Sequence, residues 1–307
     1  MRKMVAVLLA LVFVISLTTC AVAGDKKLKI GLSVQVTDGF YVSKYITTYN
    51  EIIEERGYDS VMVDCKFDTA TQISQLDNLI AQKVDVIILT PNDPLAVIPS
   101  LEQAKEAGIP VIAVQAEVDA SARPLTLGYS GADVVSMGAA AGELMNEALG
   151  GQGKIVCING TPGNSYVDDL NQGFMSTLSK DIEILDTGDH GWDRSKSTAV
   201  MDNFLAKYDE IDGAWGSDDN TALGILNAVK ASDRDIKVVG INGQGEAFDS
   251  IKKDGLFGTV IHDPAAAAHN AFAILDLYLA GEETPPFMFT ASPKITKENV
   301  DQFEPAF

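Results

Sequence analysis

From Leu28 onward, short apolar runs alternate with longer stretches in which apolar residues recur every three or four positions. "LKIGLSV" precedes a helical pattern near 41–56, "YDSVMVD" one near 70–82, "VDVIILT" one near 95–107, and "IPVIAVQ" follows. Gly57 and Gly108, the latter with Pro110 behind it, mark helix stops. The apolar runs are rich in Val and Ile and show little alternation, which fits strands buried on both faces. After "RPLTLGYSGAD" the pattern starts again. "GKIVCING", "IEILDTG", "IDGAWGS", "IKVVGING" and "GTVIHD" alternate with helical patterns near 131–149, 164–179, 195–207, 219–231, 245–254 and 264–280. A strand-like "FMFTA" lies in the tail. Repeated strand, helix, strand predicts parallel sheets covered on both sides, in two doubly wound α/β units of similar size.

In open α/β sheets ligands bind beyond the carboxyl ends of the strands. The residues at those ends fall within 34–41, 90–93, 115–117, 159–168, 188–194, 217–220, 242–244 and 262–263. They are rich in Asp, Asn, Gln and aromatics and poor in Lys and Arg. Such side chains suit a polyhydroxylated ligand. A carboxylate accepts from two vicinal hydroxyls, whereas Asn, Gln and His donate and accept at once. Phe40, Tyr41 and Trp192 offer flat faces for the C–H side of a ring, with core packing as the competing use. One stretch is unusually dense. "WGSDDNTALG" holds Asp218, Asp219 and Asn220 at a strand-to-helix turn, where a single one would cap the helix.

Charge and the N-terminus narrow the field. The 307-residue chain carries a formal charge of −20. Such a balance lacks the basic footprint that nucleic-acid binding requires. "MRKMVAVLLALVFVISLTTCAVAG" has a basic start, an apolar stretch from Val5 to Leu17 and a small-x-small site at Ala21–Ala23. It predicts a signal peptide over residues 1–23 and export. A lipobox reading with Cys20 as the lipidated residue fits less well, because Thr19 precedes the cysteine. The mature chain then keeps Cys65 and Cys157, which read as two buried thiols rather than a disulfide. The three histidines are scattered and no Cys/His cluster has zinc spacing, so no metal and no cofactor is expected. No G-x-S-x-G elbow, P-loop or G-x-G-x-x-G follows a strand, and nothing sets Asp168 and Asp218 at a glycosidase separation. An enzyme is not expected.

In their order along the chain, "GLSVQVTDGFYVS", "DVIILTPND", "AGIPVIAV", "GTPGNSYVDDLNQGF", "GWDRSK", "SDDNTALGILNAV", "VVGINGQGEA" and "DGLFGTVIHDP" resemble the type I periplasmic binding proteins. The resemblance is strongest to the ribose- and glucose/galactose-binding proteins of ABC importers, and it spans essentially the whole mature chain. It implies two doubly wound parallel-sheet lobes joined by a three-crossing hinge. Crossings are expected near 128–130, 262–264 and 290–292. One lobe would comprise 25–129 plus 263–291, and the other 130–262 plus 292–307. The resemblance further implies a periplasmic or extracytoplasmic monomer that captures a solute between its lobes and delivers it to a membrane permease driven by a separate ATPase. A role reporting ligand to a chemoreceptor or sensor kinase is the alternative.

Carried over by position, Asp38 matches a polar sugar contact, Phe40 and Tyr41 an aromatic pair, and Trp192 an aromatic that stacks from the second lobe. Asn242 and His262 stand where the family has hydrogen-bonding ligand contacts. By the same match Asp218 would face the ligand, leaving the helix cap to Asp219 or Asn220. Asn164, at a strand-to-helix junction, completes the candidate set. Two departures matter. Gln115 and Ala116 replace the usual Asp-Arg pair, and Asp168 replaces a ligand-binding Arg. Like charges about 4 Å apart repel by roughly 4 kcal/mol at an effective dielectric of about 20. With Asp38, Asp168 and Asp218 in one cleft and only His262 to offset them, an anionic ligand is disfavoured. A neutral sugar, sugar alcohol or cyclitol is expected first, and a cationic amino sugar second.

Overall fold

The computed structural model describes residues 27–161, 164–189 and 192–307; the expected leader, its cleavage site and Cys20 lie outside them. The first sheet is built from β1 (Lys29–Val34), β2 (Asp59–Asp64), β3 (Val86–Leu89), β4 (Val111–Val114), β5 (Gly128–Gly131) and β11 (Phe287–Phe289). Its order is β11-β5-β4-β3-β1-β2 and every pairing is parallel. Helices α1 (Phe40–Arg56), α2 (Thr69–Ala81), α3 (Ile98–Glu106) and α9 (Pro264–Ala280) cover it.

The second sheet has β6 (Gly153–Asn159), β7 (Ile182–Asp189), β8 (Gly213–Gly216), β9 (Lys237–Val239), β10 (Gly258–Val260) and β12 (Lys294–Thr296), in the order β12-β10-β9-β8-β6-β7. Here β12 runs antiparallel to β10. Its helices are α4 (Val134–Leu149), α5 (Ser165–Thr177), α6 (Arg194–Lys207), α7 (Asp219–Ser232) and α8 (Gly245–Lys252).

Side chains alternate across a strand, and both faces of these sheets are covered, which explains the unbroken apolar runs. Ile30, Leu32, Ile88 and Ile112 join a core under α1 and α9, while Ile87, Leu89 and Val111 face α2 and α3. In the second sheet Val156, Ile158 and Ala214 pack toward α6, α7 and α8, whereas Ile155, Cys157 and Trp215 pack toward α4 and α5. Cys65 and Cys157 are separate buried thiols, and burial pushes the Cys157 thiol up to about 12.

The chain passes between the sheets after β5, after β10 and after β11, each time leaving the carboxyl end of a strand. The crossing expected near 128–130 is displaced. Those residues are β5 itself, paired with β4 and β11, and the chain leaves only at Ala132 and Asp133, which caps α4. Pairing on both sides keeps a short Gly-containing segment in the sheet where the family resemblance implies a crossing. Helices α4 and α5 approach so closely that a Cβ on Gly138 or Gly173 would strike the carbonyl of Leu170 or Val135. Glycine at these two positions therefore fixes where α5, and the residues at its N-terminus, sit.

Candidate functional site

Strand order reverses between β1 and β3 in one sheet and between β6 and β8 in the other. Crevices at such reversals are where doubly wound sheets hold ligands. The residues there carry an unusual signature. Thr90 follows β3, Gln115 follows β4, Asn159 ends β6 and Ser217 follows β8. The Thr90 Oγ1, Gln115 Nε2, Asn159 Oδ1 and Ser217 Oγ atoms are all buried without a hydrogen-bond partner. Thr290 and Ser292, on the third crossing, add two more such hydroxyls. A buried unpaired polar atom costs about 1–3 kcal/mol, and native chains rarely leave one without reason. Buried unpaired atoms also occur on Tyr45, Thr48, Gln75, Ser100 and Trp215, and the four at the two reversals and the adjoining strand end are the ones that strand topology directs to the crevice.

An aromatic chain spans the two sheets' helices at the same level. Tyr41, on the first turn of α1, places its hydroxyl 2.8 Å from Nε2 of His262 on the second crossing. On the other side, the Tyr166 hydroxyl at the start of α5 lies 3.4 Å from Nδ1, a looser contact. The Tyr41 and His262 rings are 4.3 Å apart, and Tyr166 stacks on His262 at 6.0 Å. Tyr166 also meets Trp192 at 6.3 Å. Burial lowers the His262 pKa to about 3, so the ring is neutral. A neutral imidazole donates from one nitrogen and accepts at the other, so one tyrosine hydroxyl donates to it and the other accepts from it. Burial raises both tyrosines, with Asp218 adding to the shift of Tyr166 and neighbouring tyrosines to that of Tyr41. His262 consequently supplies no positive charge against the aspartates, which corrects the offset expected of it.

The dense turn after β8 divides its labour differently from the expectation. Asp218 has extended backbone and is the N-cap of α7, its side chain accepting from the Thr221 amide at 2.6 Å and from the Thr221 hydroxyl. Asp219 is already helical and fully buried. It accepts from Thr259 Oγ1 at 2.6 Å and from the Gln244 amide at 2.8 Å, tying the turns after β8 and β9 to strand β10. Asn220 accepts from Arg194 Nε at 2.7 Å. Capping therefore belongs to Asp218, because the first residue with helical dihedrals, Asp219, cannot fold its side chain back onto its own helix's N-terminal amides. Arg194, the arginine beside the turn, also forks onto Glu246 at 2.9 and 2.8 Å.

The remaining candidates differ in exposure and in partners. Phe40 and Tyr41 point in different directions. Consecutive helical residues point about 100° apart, and while Tyr41 turns to His262, Phe40 is 72% exposed. Asp38 and Asp168 are exposed, and Asp169 beside the latter has its pKa raised by partial burial and by Asp168 and Asp133. Asn164 caps α5 by accepting from the Tyr166 amide at 2.9 Å, which leaves its NH2 for other partners. Gln115 and Trp192 both have left-handed backbone, φ 63° and 65°. The Trp192 indole lies over Gly160, where a Cβ would collide with it. Asn242 is buried with φ 119°, a conformation costing of order 1–3 kcal/mol that clusters at ligand sites. Tyr166 was absent from the sequence-derived set. It sits among the residues of "GNSYVDD", and only the position of His262 shows its role.

The family model described as "Periplasmic binding protein domain" matches residues 30–283. This chain belongs to the periplasmic binding protein family. A ribose import binding protein of Bacillus subtilis is 30% identical over 92% of this chain and 95% of its own length. A xylitol-binding protein of Mycolicibacterium smegmatis is 32% identical over 76% of this chain and 67% of its own. Among solved structures, a periplasmic solute-binding protein of an ABC transporter from Actinobacillus succinogenes, with D-allose bound, superposes with a TM-score of 0.82 at 25% identity, covering 90% of this chain and all of that one. As a member of this family the chain is a solute-binding protein, with the doubly wound sheets that such binding uses.

Proposed function

We propose that this protein captures a neutral polyhydroxylated ligand, a sugar, sugar alcohol or cyclitol, between its two lobes and delivers it to an ABC permease outside the cytoplasm. The observation that carries the reading is the set of buried, unpaired polar atoms on Thr90, Gln115, Asn159 and Ser217 at the strand ends. Ligand hydroxyls satisfy donors and acceptors alike, so one polyol completes all four. Tyr41, Tyr166 and Trp192 supply apolar faces, and Asn242, His262 and the free NH2 of Asn164 supply directional bonds. Asp38, Asp168 and Asp218 ring the site with negative charge. With His262 neutral and Arg194 committed to Asn220 and Glu246, neither of these two groups among the described residues offers a free positive charge to a sugar phosphate or sugar acid. The ribose and xylitol named for the two curated relatives fall in the proposed class.

The leader predicted over residues 1–23 fits export, and the family's place in import systems supports a permease as the partner. Hinge closure on the ligand would be the signal that the permease reads. Trp192 gives a direct test, since the other tryptophan, Trp215, is buried against Phe174. Titration with D-ribose, xylitol and myo-inositol should change intrinsic fluorescence for at least one of them, and Trp192→Phe should remove that change. A saturable change that survives Trp192→Phe would place the ligand elsewhere and defeat this assignment.

A further inference from the structure

The segment Pro305–Phe307 returns to the cleft and touches it in two independent ways. Its main chain clips the loop that carries Asn242: the Ala306 amide donates to the Gly243 carbonyl and the Gly245 amide donates to the Phe307 main-chain oxygen, both at 2.9 Å. From below, the same loop is held by Asp219 through Gln244 and by Thr259, whose hydroxyl accepts from the Gly243 amide at 3.3 Å. The Phe307 side chain packs on the core of the second sheet. Its ring also reaches across to the first lobe, meeting the edge of Tyr41 at 6.0 Å and 86°.

Tyr41 is thus fixed on two sides by residues outside its own lobe, by the His262 ring and hydroxyl bond on one and by Phe307 on the other. Nothing else in the tail does this, since Phe303 is 36% exposed. We propose that Phe307 is a positioning residue of the binding cleft: it sets the orientation of Tyr41 from the second lobe, while the backbone beside it holds the strained Asn242 loop in place. The inference rests on the reading of this cleft as the ligand site. Edge-to-face pairs of this kind change binding by about three- to tenfold when removed.

The test uses the full chain with ring-13C tyrosine, the Tyr41 resonance being assigned through Tyr41→Phe. Phe307→Ala removes the ring and leaves the two main-chain bonds, whereas Phe307→Leu keeps apolar packing on the core and removes only the aromatic edge. Both variants should move the Tyr41 resonance in the ligand-free protein, and Phe303→Ala should not. With xylitol as the probe, both should raise the dissociation constant about three- to tenfold, mainly through faster release, and Phe307→Tyr should restore it. A Tyr41 resonance unmoved by Phe307→Leu overturns the proposal, as does a moved resonance with unchanged xylitol affinity. If the unaltered chain does not bind xylitol, that counts against xylitol as its ligand, and the nuclear Overhauser contact between the Tyr41 and His262 rings decides the role of Phe307: its loss in Phe307→Leu supports the proposal and its persistence overturns it.

Discussion

Two buried polar side chains do the same mechanical work in the two lobes, with opposite electrostatics. In the first, Gln72 of α2 donates from Nε2 to Ser33 Oγ at 3.2 Å and to the Thr90 carbonyl at 2.9 Å, and its Oε1 accepts from the Asn92 amide at 2.7 Å. In the second, Asp219 of α7 ties Thr259 and Gln244. Both side chains are fully buried, and each knits strand-end segments that flank the proposed ligand crevice. The amide meets donors and acceptors without a charge to desolvate. The carboxyl group accepts both of its bonds but is ionisable, and burial raises its pKa to about 8 even though its hydrogen bonds oppose the rise. The lobes are therefore alike in architecture, but only one makes its loop anchoring depend on pH.

Breaking the second anchor should cost most. Asp219→Ala strands the Gln244 amide and the Thr259 hydroxyl in a dry site, and should lower unfolding free energy by about 2–4 kcal/mol in urea titrations. The pH dependence sharpens the contrast. A folded pKa of about 8 lies above the unfolded value near 3.8. The contribution of Asp219 is therefore fully present below about pH 4 and is lost as pH rises through 8. Urea midpoints at pH 5, 7 and 9 should fall more steeply for the natural chain than for Asp219→Asn, and Gln72→Glu should import such a slope into the first lobe. Gln72→Leu leaves the Asn92 amide and the Thr90 carbonyl unpaired, at a cost of about 1–3 kcal/mol that the same titrations should find independent of pH. Tyr41→Phe removes the 2.8 Å bond to His262 and should cost about 1 kcal/mol in ligand-free stability. The smallest effect is expected at the exposed rim. Asp168→Asn should leave the affinity for a neutral polyol within about twofold by calorimetry, whereas a cationic ligand would bind distinctly more weakly.

Much of this architecture was legible in the chain. Strands buried on both faces advertise themselves as Val/Ile runs, and helix ends carry capping residues, so α1, α2 and α9 lie within a residue or two of their expected spans. What failed is instructive. Lys294–Thr296 is too short and polar to read as a strand, and becomes one only because β10 offers its edge. Gly128–Gly131, where the resemblance implied a crossing, is a strand because it has pairing neighbours on both sides. In the candidate site, residue types at strand ends were readable, since topology alone directs them to the crevice. Their division of labour was not. Whether Asp218 or Asp219 caps α7 depends on one pair of dihedrals, and Tyr166 gains its place from His262, distant in sequence.

The measurement that bears most directly on solute capture is thermal melting of residues 24–307 against pentoses, hexoses, pentitols, hexitols, inositols and amino sugars. A ligand at about 1,000 times its dissociation constant stabilises the folded state by roughly 4 kcal/mol, enough to raise the midpoint by several degrees. The account predicts such a shift with at least one neutral sugar or polyol. Silence across the neutral compounds, or a shift confined to amino sugars, would contradict it.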